Sequence, residues 1–269
     1  VGSIVVTAEG GATWSGGSGN AIVMASADIY VGGNIAALTV TADGDAIGGS
    51  SYVSAQATIW VDGTIGSVTL SALGASSEVL ANLTADSVTN IDVTVVESAE
   101  VDLRLFLRGH GGNIVMNSGE TGGDASVHFH GGFTSDTIDL SGFTGNTHLA
   151  FDRADASSDI VSDWTALDLD ALHISGLDSG AGLDLSFVGY LLDGDSLNDY
   201  QENASAVSLD TFRIEAEHAI ENMGAYFYFG VVGGNGILAY DFNNAGITGL
   251  IEMAGVTDFD LSQIYSLPS

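Results

Sequence analysis

Positive charge is almost absent from this sequence, in which lysine and arginine together number 4 against 35 acidic residues, giving a formal net charge of −31. The four basic residues are all arginines, scattered along the chain at Arg104, Arg108, Arg153 and Arg213. Because nucleic acids and anionic bilayers are bound through clustered cations, no basic patch can form and a nucleic-acid partner is excluded. Short carboxylates on turns are oxygen ligands that Ca²⁺ prefers. We therefore expect calcium as the cofactor and an extracellular, calcium-rich setting.

Cysteine is also absent, so the chain can form neither a disulfide nor a thiolate site, in agreement with secretion by a bacterium. No apolar run approaches the length of a transmembrane helix. Hydrophobic residues make up 45% of the chain, which is too many for a disordered acidic tail. The sequence begins at Val1 with neither methionine nor a basic stretch, and we expect any signal or preceding domain to be missing or never to have existed.

A repeat links residues 21–35 to residues 51–65 without a gap, and its matches fall at alternate positions. The recurring residues are Val23, Ala25, Ala27, Ile29, Val31, Gly33 and Ile35, which return as Val53, Ala55, Ala57, Ile59, Val61, Gly63 and Ile65. Successive side chains of a β-strand point to opposite faces of the sheet. The recurring set therefore predicts a packed face, and the variable set between its members predicts a wetter face.

A second motif of alternating apolar residues begins at Val1, Ile35, Ile65 and Val88. Self-similarity at this period, carried by strands with glycine turns, predicts a mainly β protein with a parallel β-solenoid of the β-helix or β-roll type. An antiparallel sandwich whose strands only resemble one another is the alternative. Because the ends of a solenoid expose unpaired backbone groups, we expect a cap, a preceding domain or a neighbouring subunit there.

Three units are predicted along the chain: solenoid repeats over residues 1–110, an irregular β-rich continuation over 111–204, and a helix with a hairpin over 205–269. Apolar residues at intervals of three and four predict an amphipathic helix over 208–223, with Ser208 as its N-cap. Apolar segments on both sides of a turn over 233–236, rich in glycine, predict the hairpin that follows.

Calcium ligands are predicted mainly in one acidic loop. The candidates are Asp193, Asp195 and Asp199, with Asp43 and Asp45 as a weaker pair of the same kind. The loop departs from an EF-hand, because Ala204 stands where that motif has its bidentate glutamate. A solvated acidic turn is the alternative interpretation of the same residues.

A histidine pair is the other candidate metal site. His128 and His130 lie on one side of a predicted strand, and His110 precedes them, so the pair could chelate zinc or copper. Two outward-facing histidines on an exposed strand are the alternative interpretation.

Two segments resemble a known group of proteins. Residues 135–143, Ser-Asp-Thr-Ile-Asp-Leu-Ser-Gly-Phe, resemble segments that flank the calcium-bound β-roll of RTX-type proteins. Residues 205–265, with a helix, an aromatic strand, a glycine turn, Gly-Val-Thr-Asp and Leu-Ser-Gln-Ile, resemble the C-terminal units of bacterial type I-secreted surface proteins of the S-layer kind. The resemblance implies export by an uncleaved C-terminal signal and residence at the cell surface. It does not extend to the glycine-rich nonapeptide repeats, nor to the acidic calcium loop, in whose place stand residues 233–236.

The sequence therefore predicts an extracellular structural protein, not an enzyme, that self-assembles into a surface layer or filament with Ca²⁺ bridging its carboxylates. An adhesin or biofilm-matrix protein is the alternative, with exposed Tyr30, Tyr52 and Trp60 in contact with a cell-surface polysaccharide. A polysaccharide-cleaving β-helix enzyme ranks lower, because it needs a cation beside carboxylates and lysine is absent. Life in strong brine is another explanation of the acidity.

Overall fold

The computed structural model describes residues 2–9, 21–44, 51–74, 76–108, 112–118, 123–130, 137–152, 171–177, 182–188, 200–241, 246–259 and 264–267. Within these residues the chain is mainly β, and its strands form one sheet of 11 strands and one of 8, here called sheet A and sheet B. From the first strand to the fourteenth, successive strands alternate between the two sheets.

Sheet B is parallel throughout its described strands. In chain order they are β2 (Ala21–Val31), β4 (Ser51–Val61), β6 (Ser77–Ala85), β8 (Glu100–Leu107), β10 (Asp124–Phe129), β12 (Asn146–Asp152), β14 (Gly182–Val188) and β19 (Ile264–Leu267). Each of them pairs with the next, so β2 lies at one edge of the sheet and β19 at the other.

Sheet A is mixed. Its parallel part comprises β1 (Ser3–Glu9), β3 (Ile35–Asp43), β5 (Thr64–Leu73), β7 (Ser87–Val95), β9 (Asn113–Ser118), β11 (Thr137–Gly142) and β13 (Ala171–Ser175). The sheet continues through β18 (Gly249–Met253), β17 (Asn235–Tyr240), β16 (Phe227–Val232) and β15 (Tyr200–Val207), and β17 is antiparallel to both of its neighbours.

The repeat predicted from the sequence is confirmed as in-register pairing. Strands β2 and β4 are parallel and pair from Ala21 with Ser51 to Val31 with Val61, without a shift. The shorter motif pairs in the same way, because Ile35 lies beside Ile65 and Ile65 beside Val88. For these strands the antiparallel alternative is wrong.

The two sheets pack through their inner faces into one apolar core. Equivalent inner residues of neighbouring strands form columns, such as Leu38, Val68 and Ile91, each with 0% of its surface exposed. Burying one such side chain contributes about 1.5–3 kcal/mol relative to leaving it exposed. The outer residues of the same strands are half-buried or exposed, as the alternating pattern predicts.

A helix follows β15 and packs on β16. It spans α1 (Leu209–Glu217) and continues as a π-helical turn over His218–Asn222. Ser208 is its N-cap, as predicted, because the Ser208 hydroxyl accepts a hydrogen bond of 3.2 Å from the backbone N–H of Thr211. The rings of Phe212 and Tyr228 meet 5.5 Å apart between the helix and the sheet. In the described ranges no helix has the length and apolarity needed to cross a membrane.

The predicted hairpin is confirmed between β16 and β17, where Gly233 and Gly234 turn the chain with φ of 63° and 94°. This C-terminal unit shares sheet A with the repeats, because β18 pairs in parallel with β13. His173 on β13 lies 2.7 Å from a carboxylate oxygen of Glu252 on β18. The division at residues 110 and 204 stays a prediction.

We predict that core columns, and not outer positions, determine stability. Ile59→Ala should lower the free energy of unfolding by about 2–5 kcal/mol, because Ile59 is 0% exposed and its removal leaves a cavity. The matched control, Thr58→Ala on the outer face, should cost less than about 1 kcal/mol. Urea denaturation measures both values, and equal losses would contradict the assignment of faces.

Candidate functional site

The outer face of sheet B carries a column of aromatic side chains, referred to below as the aromatic column. Strand register places Tyr30 beside Trp60, Trp60 beside Thr84, and Thr84 beside Phe106. The exposed fractions of Tyr30, Trp60 and Phe106 are 68%, 42% and 39%. His130 stacks on Phe106, with ring centroids 4.0 Å apart and planes 6° from parallel.

Hydrogen bonding orients the first ring of this column. The Tyr30 hydroxyl donates a hydrogen bond to a carboxylate oxygen of Asp62, in the turn after β4. This hydrogen bond, together with the charge of Asp62, raises the pKa of the Tyr30 phenol. The ring is therefore held across two strands although most of its surface is open to solvent.

A polar groove of about 380 Å³ borders the aromatic column. The polar side chains that line it include Ser26, Asp28, Gln56, Asn82, Asp102 and Arg104. They stand two or four residues before Tyr30, Trp60, Thr84 or Phe106 on the same strands and so share the face of the aromatic column. Arg104 is paired with Asp102 at 3.2 Å. Within the part of the chain that the structure describes, the side-chain amides of Gln56 and Asn82 have no hydrogen-bond partner.

A column of carboxylates crosses the same face nearer the start of the strands. Glu78 lies beside Glu100, and Glu100 beside Asp124, on strands about 4.8 Å apart. Burial raises the pKa of Glu78, and the charges of Glu100 and Asp102 raise it further. No spacing along the chain pointed to this group, because it exists only through strand register.

The predicted calcium ligands fall mostly beyond the described residues. Asp45, Asp193, Asp195 and Asp199 all lie outside them, so their roles stay predictions. Asp43 ends β3, and strand register places Glu9 of β1 beside it. Across the described ranges, no group of three or more histidine, aspartate or glutamate side chains is arranged to hold a metal ion.

The predicted histidine pair shares one face but is not brought together as a site. The Nε2 atom of His128 lies 3.5 Å from a carboxylate oxygen of Asp102, and its ring is 6.4 Å from that of His148. His130 contacts Phe106 instead, and His110 lies outside the described residues. Burial lowers the pKa of His128, against the opposing effect of Asp102. Spacing along the chain did not identify Asp102 or His148 as neighbours of His128, because the repeat has faded in this part of the sequence.

A polysaccharide-cleaving enzyme would need a cation beside carboxylates, and Arg104 and Arg108 are both engaged in ion pairs. Arg108 lies 3.0 Å from Asp86, and Arg104 is paired with Asp102 as described above. Arg153 lies outside the described residues.

Comparison of the chain with protein-family models, with curated proteins and with solved structures found no match.

We predict that Glu78 destabilises the fold at neutral pH. Its pKa in the folded state is raised above the ordinary value of 4.5, so folded protein binds this proton more readily than unfolded chain. Stability should therefore fall as pH rises from about 4.5 through the folded pKa. Glu78→Gln should raise the melting temperature at pH 7 and lose this advantage near pH 4, as measured by thermal denaturation.

The matched control is Glu221→Gln, the same change at an exposed carboxylate in the turn after α1. It should leave the pH dependence of the melting temperature unchanged. An equal gain from Glu78→Gln at both pH values would contradict an electrostatic cause.

Proposed function

We propose that the chain is an extracellular structural protein built as a parallel β-solenoid, which self-assembles into a surface layer or filament. The alternation of successive strands between two sheets supports a solenoid. The in-register columns of residues support it as well. The observation that carries self-assembly is the edge formed by β1 and β2, here called the open edge, beyond which no further strand pairs among the residues that the structure describes.

The open edge leaves the end of the core incompletely covered. On β2, the inner residues Val23, Ala25 and Ile29 are only half-buried. Their equivalents on β4 are Val53, Ala55 and Ile59, each with 0% of its surface exposed. Outer residues of the edge strands are apolar as well, with Val5 66% exposed, Ile22 68% and Met24 60%. An apolar edge with unpaired backbone groups is a template for another strand.

A second copy is the occupant that fits this edge best. The edge is flat, because β2 pairs with β4 over its whole length without a bulge. It also carries little charge, since Glu9 and Asp28 are the acidic residues of β1 and β2. Two copies can therefore meet edge to edge about a two-fold axis where electrostatic repulsion is weakest.

The opposite edge of sheet A is less suited to strand pairing. Strand β15 has a register shift between Asn203 and Ala206, and it carries Glu202. Bulges and charges are devices that block edge-to-edge association. This difference favours pairing through β1 and β2 over head-to-tail stacking.

Calcium has a separate role in the proposal. A formal charge of −31 on each copy opposes the packing of further copies, and the carboxylates of Glu78, Glu100 and Asp124 concentrate part of it on one face. Divalent cations that bridge such faces reverse the sign of the interaction. Edge pairing then forms dimers, and calcium extends the dimers into a layer or filament.

We predict that lysines at the edge prevent the dimer. The double variant Ile22→Lys with Met24→Lys should elute as a monomer, because two cations replace exposed apolar side chains without disturbing the core. The control Ile214→Lys changes a residue that is 65% exposed on α1 and should dimerise like the parent. Size-exclusion chromatography with light scattering gives the masses. Monomers in all three proteins would overturn the edge contact.

We also predict that larger assemblies require calcium. Adding millimolar CaCl₂ to the parent should produce particles larger than dimers, and a chelator should return them to dimers. Sodium chloride of equal ionic strength is the control for screening. Particle size by dynamic light scattering reports the result, and electron microscopy distinguishes a periodic lattice or fibre from dispersed molecules. Polymers that persist in the presence of the chelator would contradict calcium bridging, but they would not contradict the edge contact.

A further inference from the structure

We propose that the outer face of sheet B binds a neutral glycan chain, which lies across the strands along the aromatic column. This site extends beyond the edge formed by β1 and β2: Tyr30 lies on the edge strand β2, whereas Trp60 and Phe106 lie on strands inside the sheet. It goes beyond the structural role proposed above, and either proposal can stand without the other.

Exposed aromatic residues are confined to this face of the described structure. They are Tyr30, Tyr52, Trp60 and Phe106. The corresponding outer positions of sheet A carry small polar residues, such as Thr39, Thr69 and Asp92, which pair as neighbours. Large aromatics are costly to leave in water, and a row of them on one face, here Tyr30 beside Trp60 with Phe106 two strands beyond, marks a binding surface. The row is unnecessary for the core, which is complete without it.

The chemistry of the face matches a pyranose chain. A pyranose ring has an apolar face of C–H groups and a rim of hydroxyls. Rings such as Trp60 and Phe106 offer flat apolar surface to the C–H face. The unpartnered amides of Gln56 and Asn82 each offer donors and acceptors to hydroxyls. Apolar surface with a few convergent polar groups is the usual composition of a small-molecule or glycan site.

Geometry sets the direction of the bound chain. Tyr30 and Trp60 lie on neighbouring strands about 4.8 Å apart, a distance comparable with the length of one sugar unit, and Phe106 lies two strands, about 9.6 Å, beyond Trp60. The groove runs parallel to this column, since it contains positions from β2, β4, β6 and β8. A chain that crosses the strands therefore has aromatic surface on one side and hydrogen-bonding groups on the other.

Charge selects a neutral ligand over an acidic one. Asp28 and Asp102 both line the groove, and Arg104 is already paired with Asp102. The protein as a whole carries a formal charge of −31. Uronate or sulfate groups would meet repulsion here, whereas uncharged sugar hydroxyls would not.

The test uses the parent protein, with its mass followed by light scattering, so that binding is separated from self-association without adding cations to the face of β2 that carries Ser26 and Asp28. Isothermal titration calorimetry with cellohexaose, laminarihexaose, mannohexaose and chitohexaose should show binding of at least one of them. Trp60→Ala should weaken binding of that hexaose about tenfold, and Phe106→Ala should do likewise. Trp60→Phe should restore most of the affinity, because the ring is kept. Ile214→Ala should have no effect.

Oligogalacturonate and oligoalginate of similar length are the acidic probes, and they should bind more weakly than the neutral hexaose. Circular dichroism confirms that each variant is folded. The proposal is overturned if none of the four neutral hexaoses binds, if acidic chains bind more tightly, or if Trp60→Ala and Phe106→Ala bind as the parent does. It is also overturned if Trp60→Ala abolishes dimerisation of the parent, since the face would then be a contact between copies.

Discussion

In-register stacking of inward apolar side chains is the interaction on which the rest of the structure depends. Parallel pairing of the repeats sets identical or similar residues next to one another, as with Ile29 and Ile59 or Val40 and Leu70. A shift of one residue would turn every inner side chain outward and every outer one inward. The core therefore fixes not only the fold but also which residues meet on the outer face.

Much of this fold could be predicted from the sequence, because its first third repeats. The gapless match of residues 21–35 with 51–65 predicted the pairing of β2 with β4, and the alternation predicted which side was buried. The helix cap at Ser208 and the glycine turn of the hairpin were also predictable, since both depend on local backbone requirements.

The surface sites could be predicted far less well. Strands β6, β8, β10 and β12 stay in register although the sequence repeat has faded there. Because no repeat marks this register in the sequence, the neighbours of His128 could not be predicted. Asp102 and His148 meet it only because the inner columns hold these strands in line. For the same reason, the grouping of Glu100 and Asp124 with Glu78 could not be predicted from the sequence. Exposed Tyr30 and Trp60 were predicted, but not the addition of Phe106 to their column.

The separation of faces explains how one sheet can carry unlike surfaces. The inner positions of sheet B are constrained by packing, whereas its outer positions contact solvent and can change independently. Along β8 the outer face passes from Glu100 through Arg104 to Phe106, while the inner residues stay aliphatic. Acidic, polar and aromatic columns thus lie side by side, each one continued by strand register. A surface that repels copies of itself and a surface that attracts an uncharged ligand can therefore occupy the same sheet.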